Sequence, residues 1–198
     1  MINPPNRPFS AAQKSIPMSQ TLVLYAHPSP QKSQVTRDLL TVFTARPEVR
    51  VHSLYEMYPD FDIDVLAEQD ALLAAEQIIW LAPVYWYSVP AMMKHWIDSV
   101  LTHGWAYGQG GHALRGKRAW WVASAGAGEQ EYAEQGSHFR SFADFIAPIE
   151  GTARYCGMQW LPPFIVHAYA HASPEQQAAS RAQLASLYQD HFATKETS

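Results

Sequence analysis

Short apolar runs alternate along the chain with longer segments in which apolar residues recur at helical spacing. Apolar runs with little internal alternation are typical of parallel strands that are buried on both faces. They predict strands at Thr21–Ala26, Val49–Leu54, Gln77–Leu81, Arg118–Ser124 and Trp160–His167. The longer segments predict helices at Val35–Ala45, Val65–Ala75, Pro90–Leu101, Phe139–Cys156 and Ser173–His191.

Three residues mark helix boundaries. Pro90 suits a first helical turn because its missing N–H has no helical partner there. Gly157 suits a C-terminal cap, where a left-handed backbone conformation is needed. Ser173 can cap the last helix, and Pro174 and Glu175 fit its first turn.

Strands and helices therefore alternate from the first strand to the last. This order predicts one α/β domain with a doubly wound parallel sheet between two helix layers, in three layers altogether. Such sheets bind ligands at the carboxyl ends of their strands. The loops to inspect are therefore residues 27–34, 82–89 and 125–138.

Length, charge and cysteine content exclude several classes of function. The chain has 198 residues, 47% of them hydrophobic, which suits a single domain with a large core. A net charge of −4 argues against a nucleic-acid surface, and one cysteine, Cys156, excludes an internal disulfide and a cysteine-rich zinc site. We expect a folded domain over residues 21–192, a disordered arm over 1–20 and a tail over 193–198. A start of translation at Met18 is the alternative to a disordered arm. The single cysteine fits a cytoplasmic protein.

The loop after the first strand is polar and leads into a helix. It contains no glycine-rich dinucleotide motif and no P-loop. Free N–H groups at Ser33, Gln34, Val35 and Thr36, together with His27, could hold one phosphate. An ordinary N-cap by Ser33 would also explain this pattern.

Three aromatic residues, Tyr85, Trp86 and Tyr87, follow the third strand. A core does not need three aromatics in a strand-to-helix loop, whereas a flat conjugated ligand could lie against them. A hydrophobic patch for dimerisation is the alternative. A second aromatic-glycine turn, Gly104–Gly108, could complete the pocket or the dimer contact.

The loop after the fourth strand begins with small residues, Ser124 to Gly128, which permit a planar ligand to approach the backbone. Tyr132 and His138 follow, and this pair could stabilise negative charge on a ring and pass a proton. A structural role for both residues is the alternative.

Several motifs carry a resemblance to a known family. His27-Pro28, the series Pro83-x-x-Trp86-Tyr87-x-x-Pro90, and Gly104-Trp-Ala-Tyr-Gly108 resemble the flavodoxin-like NAD(P)H:quinone oxidoreductases, the DT-diaphorase group. Leu54-Tyr-x-x-Tyr-Pro-Asp-Phe61 and Trp160-Leu-Pro-Pro-Phe164 are most similar to the KefF/KefG branch, the ancillary proteins of glutathione-regulated potassium efflux.

The resemblance implies a five-stranded sheet of order 2-1-3-4-5, an FMN cofactor, a homodimer and two-electron reduction of quinones by NAD(P)H. It implies catalytic roles for Tyr132 and His138. It implies FMN binding by His27, Ser33, Gln34, Val35, Thr36, Val84, Tyr85, Trp86, Tyr87, Ser124, Ala125, Gly126 and Ala127, with Trp86 and Tyr87 facing the flavin. The alternative function is a regulatory subunit of a potassium-efflux antiporter, at the inner face of the cell membrane, with incidental reductase activity.

Three departures from the family pattern concern these residues. Thr36 stands where the relatives usually have Asn, Tyr85 where Gln is common, and Ser124-Ala-Gly-Ala127 where Thr-Thr-Gly-Gly is usual.

We also predict no metal site. Asp60, Asp62 and Asp64 lack the glycine and distal glutamate of a calcium loop, so this segment is expected to be a solvated loop.

Overall fold

The computed structural model describes residues 21–192. The expected segments 1–20 and 193–198 lie outside this range. The strands are β1 (Thr21–Tyr25), β2 (Val49–Ser53), β3 (Gln77–Pro83), β4 (Arg118–Ala125), β5 (Gln159–Trp160) and β6 (Phe164–His167). The α-helices are α1 (Val35–Thr44), α2 (Leu54–Met57), α3 (Val65–Ala74), α4 (Ala91–Val100), α5 (Phe142–Tyr155) and α6 (Pro174–Phe192).

All strands are parallel, and they follow the order β2-β1-β3-β4-β5, with β6 also paired to β4. The predicted strand order is therefore confirmed. The predicted fifth strand is interrupted into β5 and β6 by Leu161, Pro162 and Pro163. Proline has no N–H to donate to the ladder, so two successive prolines break the pairing.

Two apolar clusters lie on opposite faces of the sheet. One includes Trp80 and Trp121 from the strands and Met92 and Trp96 from α4. The other includes Leu39 and Phe43 from α1 and Leu184 from α6. Helices α1 and α6 therefore cover one face, while α3, α4 and α5 cover the other, which gives the predicted three layers.

Helix ends follow the capping residues. Gly157 adopts a φ of 77°, as expected after a helix C-terminus, and Ser173 accepts the Gln176 N–H at 3.3 Å. The fifth helix, however, begins at Phe142 and not at Phe139 as predicted. Phe139 has a left-handed φ of 56°, and Ser141 provides the cap by accepting the Ala143 N–H.

Glu68 of α3 lies at the centre of a buried polar cluster. We call Glu68, His52, Tyr58 and Trp96 the Glu68 cluster. The Glu68 carboxylate accepts hydrogen bonds from His52 Nδ1 at 2.9 Å, the Tyr58 hydroxyl at 2.7 Å and Trp96 Nε1 at 2.8 Å. Glu68 is 0% exposed. A buried carboxylate is tolerated only when its oxygens are satisfied, and these three donors join β2, the segment after α2, and α4 to α3.

Candidate functional site

A cavity of about 320 Å³ opens where the carboxyl ends of β1, β3 and β4 meet. This volume falls within the range typical of small-molecule sites. Its lining contains these predicted cofactor-binding residues: His27, Gln34, Val35, Thr36, Val84, Tyr85, Ser124, Ala125 and Gly126. The two loops and the small-residue strand end that were expected to bind a ligand therefore border one cavity.

The amino terminus of α1 forms one end of this cavity. Within residues 21–192, the N–H groups of Gln34, Val35 and Thr36 have no backbone or side-chain acceptor. Such groups, aligned with the helix dipole, favour an anion. Ser33 does not line the cavity, but its hydroxyl lies 2.8 Å from the Thr36 hydroxyl and accepts the Arg37 N–H. Ser33 thus satisfies the Arg37 N–H in the first turn of α1 and contacts the Thr36 side chain, although Gln34 is the residue at the N-cap position.

His27 and Lys32 stand at the same end. His27 Nδ1 accepts the Ser29 N–H at 3.1 Å, which places the ring proton on Nε2 as a donor. Burial lowers the pKa of His27, although its hydrogen bond to Ser29 acts in the opposite direction. Lys32 adds a positive charge, so this end of the cavity suits a phosphate.

The other end is formed mainly by backbone. Val84 N–H donates to the Ser124 carbonyl at 2.8 Å, which joins the loops after β3 and β4. An additional Cβ at Gly126 would meet no atom within 4 Å, so space is open above this residue. A planar group can therefore lie against the strand ends from Pro83 to Tyr85 and from Ser124 to Gly126.

Trp86 and Tyr87 do not line the cavity, and the expectation that they face the flavin stays a prediction. They occupy the two central positions of a tight turn in which Tyr85 and Ser88 exchange backbone hydrogen bonds of 3.0 and 3.1 Å. Both have left-handed φ angles, 49° and 64°, as this turn requires. The turn points the Trp86 side chain outward, where it is 92% exposed, and leaves Tyr85 beside the cavity.

Tyr132 and His138 form a stacked pair, with ring centroids 4.3 Å apart and ring planes 8° from parallel. The pair reaches the aromatic loop through Tyr87, whose hydroxyl lies 3.5 Å from His138 Nδ1. On its other side, Tyr132 lies near the backbone of Ala127, which directly follows the cavity residue Gly126. Burial and the neighbouring Tyr87 and Glu131 raise the pKa of Tyr132, so its hydroxyl is held protonated.

The loop that carries this pair, residues 127–141, is held in one conformation by close packing and hydrogen bonds. A Cβ at Gly136 would lie 2.2 Å from the Glu131 carbonyl oxygen, so only glycine fits there. The Glu131 carboxylate accepts the Ser137 hydroxyl at 2.7 Å, and its carbonyl accepts the His138 N–H at 3.1 Å. These contacts fix His138 over Tyr132.

Four cavity residues were missed by sequence reasoning: Lys32, Pro83, Tyr169 and Ala170. Lys32 lies in the loop after β1, directly before Ser33, and its positive charge beside a predicted phosphate site was a usable signal. Tyr169 and Ala170 follow β6, the end of the last predicted strand, from which no site residue was predicted.

The Gly104–Gly108 turn does not line this cavity. It follows α4, which runs antiparallel to the strands, and precedes β4, so it lies at the amino ends of the strands. Tyr107 packs there against Tyr155 at the end of α5, with ring centroids 5.2 Å apart. The expectation that this turn completes the pocket is therefore wrong for the cavity of a single chain, and its role in a dimer contact stays a prediction.

Residues 21–192 contain no group of three or more His, Cys, Asp or Glu side chains that could hold a metal ion. The carboxylates of Asp60 and Asp64 instead accept backbone hydrogen bonds. Asp60 accepts the Asp62 N–H, and Asp64, the N-cap residue of α3, accepts the Ala67 N–H. Over the same residues, no helix has the length and apolar character to cross a membrane.

A family model for the flavodoxin-like fold, Flavodoxin_2, matches residues 19–192. The chain belongs to this flavodoxin-like family. KefF, the glutathione-regulated potassium-efflux system ancillary protein of Enterobacter sp. (strain 638), is 48% identical over 146 residues, which cover 74% of this chain and 82% of that protein.

Solved structures of other flavodoxin-like proteins are also similar. General stress protein 14 of Treponema denticola, in complex with FMN, has 34% identity and a TM-score of 0.78, over 88% of this chain and 98% of that one. An NADPH-quinone reductase from P. pentosaceus has 29% identity and a TM-score of 0.77, over 85% and 96% of the two chains. The family resemblance inferred from the sequence is therefore confirmed.

Proposed function

We propose that the protein is an FMN-dependent NAD(P)H:quinone oxidoreductase. The observation that carries the proposal is the cavity itself, which has an anion-binding end at α1 and a flat, backbone-lined end at β3 and β4. FMN has this distribution of chemistry, since a phosphate is joined through a short chain to a planar ring system. The FMN complex and the quinone reductase among the similar structures support the same assignment.

Each residue has a defined task in this proposal. The N–H groups of Gln34 to Thr36, with Lys32 and the His27 Nε2–H, would hold the phosphate. The strand ends at Val84–Tyr85 and Ser124–Gly126 would hold the ring, and the Ala127 backbone would border it. When bound, FMN supplies the acceptance and donation of a hydride, which no side chain can perform. We infer that NAD(P)H and a quinone use the same face in turn.

Tyr132 and His138 would act on protons at the ring. Tyr132 retains its hydroxyl proton at neutral pH and can therefore donate a hydrogen bond to a developing negative charge. His138 lies against Tyr132 and within reach of Tyr87, so it can exchange a proton with this pair and with solvent.

Titration with FMN tests the cofactor assignment. Thr36→Val keeps the side-chain shape but removes a hydroxyl from the anion-binding end, and we expect it to weaken FMN binding about tenfold, the effect of about 1.4 kcal/mol. Thr41→Val is the matched control, because Thr41 lies on the same helix with its hydroxyl bonded to the Asp38 carbonyl. Equal affinities of the two variants would contradict the assignment of Thr36.

We propose a regulatory role in potassium efflux as a second function. We also propose that the protein forms a homodimer. The identity to KefF supports the regulatory role. In this role the protein would work in the cytoplasm, at the inner face of the cell membrane, bound to an antiporter. Co-purification with an antiporter whose gene lies beside this one would support the role. If the Tyr85→Ala variant still binds that antiporter but no longer binds FMN, the regulatory role does not depend on the reductase activity.

A further inference from the structure

The segment after β6 forms a wall of the candidate FMN cavity. It starts at Ala168, which has a left-handed φ of 47° and donates its N–H to the carbonyl of Ala125, the last residue of β4. Tyr169 follows in a short 3-10 turn, is 5% exposed and lines the cavity together with Ala170. The position of this wall therefore depends on what holds Tyr169.

Tyr169 is held at its hydroxyl by residues of two helices. The hydroxyl donates to the Asp38 carboxylate of α1. Arg181 of α6 donates to the same carboxylate oxygen at 2.6 Å and to the Tyr169 hydroxyl at 3.3 Å. We call these three residues the Tyr169 lock. Charge-assisted hydrogen bonds of this kind are stronger and more directional than those between neutral groups.

The backbone of Tyr169 is held independently. Gln177 Nε2 donates to the carbonyls of Tyr169 and Ala172, both at 3.2 Å. The ring therefore has a fixed position at both ends, and the wall is not a loop that rearranges freely.

The lock also controls charge near the anion-binding end. Asp38 lies in the first turn of α1, the helix whose amino terminus would meet the phosphate. An uncompensated carboxylate at this position would repel an anion. Arg181 offsets that charge, and burial together with the bond to Asp38 raises the pKa of Tyr169 to about 12, so the hydroxyl keeps its proton at neutral pH.

We propose that the Tyr169 lock is a positioning device for FMN: it fixes Tyr169 as a wall of the cavity and neutralises Asp38 beside the phosphate end. The proposal rests on the FMN assignment above. It makes α6, through Arg181, a determinant of cofactor affinity although Arg181 does not line the cavity.

Tyr169→Phe tests the positioning role, because it keeps the ring and removes only the hydroxyl. We expect the FMN dissociation constant, measured by quenching of flavin fluorescence, to rise at least fivefold. Tyr188→Phe is the matched control: Tyr188 is a buried residue of α6 whose hydroxyl lies 2.9 Å from the Thr21 hydroxyl, far from the cavity. It should bind FMN within twofold of the wild type, although both variants lower the thermal midpoint of the FMN-free protein.

Arg181→Met tests the charge role. We expect at least a tenfold loss of FMN affinity, and the double variant Asp38→Asn with Arg181→Met should recover most of that loss, since it removes the unpaired carboxylate. Failure of the double variant to recover affinity would overturn the charge role. Wild-type affinity in Tyr169→Phe would overturn the positioning role while the FMN assignment stands. A wild-type protein that takes up no FMN would overturn both proposals.

Discussion

The Glu68 cluster and the Tyr132–His138 pair are both built from aromatic and titratable side chains, yet they differ in the contacts that hold them together. Glu68 is fully buried and accepts from three side-chain donors at 2.9 Å or less. The Tyr132–His138 pair depends mainly on ring stacking, and its nearest contact to the aromatic loop is 3.5 Å.

Backbone strain shows the same contrast. Trp86 and Tyr87, beside the stacked pair, have left-handed φ angles that cost of order 1–3 kcal/mol each in a residue other than glycine. The residues that bond to Glu68 lie in β2, in α4 and directly after α2, and none of them has a left-handed φ angle. We therefore expect the hydrogen bonds of Glu68 to stabilise the fold more than the contacts of the stacked pair do, although His52 Nε2 is buried without a hydrogen-bond partner.

Glu68→Ala should have the largest effect on stability. It leaves three buried donors without an acceptor, and we expect the free energy of unfolding to fall by about 3–5 kcal/mol in urea titrations. Asp70→Ala, on the exposed face of the same helix, should change it by less than about 0.5 kcal/mol. Similar losses in the two variants would mean that the Glu68 cluster does not stabilise the fold.

His138→Ala should have a large effect on turnover and a small one on stability. We expect quinone reduction to slow about 100-fold through loss of the proton-transfer group, with FMN affinity within about twofold and unfolding free energy within about 1 kcal/mol of the wild type. His112→Ala, at an exposed loop position, is the control. Unchanged turnover would show that the pair is structural.

Acidification should weaken the Glu68 cluster. Burial raises the pKa of Glu68, but the hydrogen bonds from His52, Tyr58 and Trp96 outweigh it, so the pKa in the folded protein lies below the usual value. A lowered folded-state pKa stabilises the fold above the unfolded pKa of about 4.3, and this contribution is lost as the pH falls through the folded-state pKa.

Urea unfolding of the wild type and Glu68→Gln between pH 3 and pH 7 measures this contribution. The advantage of the wild type over the variant should be largest at pH 7 and should shrink towards pH 3. A difference that stays constant with pH would contradict the lowered pKa of Glu68.

Trp86→Asn should have the smallest effect on stability. Asn adopts left-handed φ angles more easily than Trp, and Trp86 is almost fully exposed, so we expect unfolding free energy to rise by about 0.5 kcal/mol. A fall of more than about 1 kcal/mol would show that the Trp86 side chain contributes packing that the single chain does not display.

Periodicity predicted the sheet order and layers well, because buried parallel strands are nearly continuous apolar runs. It could not predict the break at Pro162–Pro163 or the later start of α5, since these depend on the conformations of individual residues such as Phe139. Strand order predicted the three loops that contribute to the cavity lining. It could not predict that Tyr85 lines the cavity while Trp86 points outward, because these directions follow from a turn type that normally favours Asn and Gly.

Tyr169 shows another limit of the sequence. Its hydroxyl bonds to Asp38, 131 residues away in the chain, and to Arg181, 12 residues away. No local sequence pattern relates these positions. Lys32, by contrast, could have been found, since it lies beside the phosphate-binding residues in sequence.

The most direct test of the account is an anaerobic titration of the FMN-loaded protein, followed by absorbance in the flavin bands. We predict that one equivalent of NADH or NADPH bleaches the flavin bands and that one equivalent of a quinone restores them. Loaded protein that neither nicotinamide bleaches, or bleached protein that a quinone leaves unchanged, would contradict the proposal that this cavity supports quinone reduction.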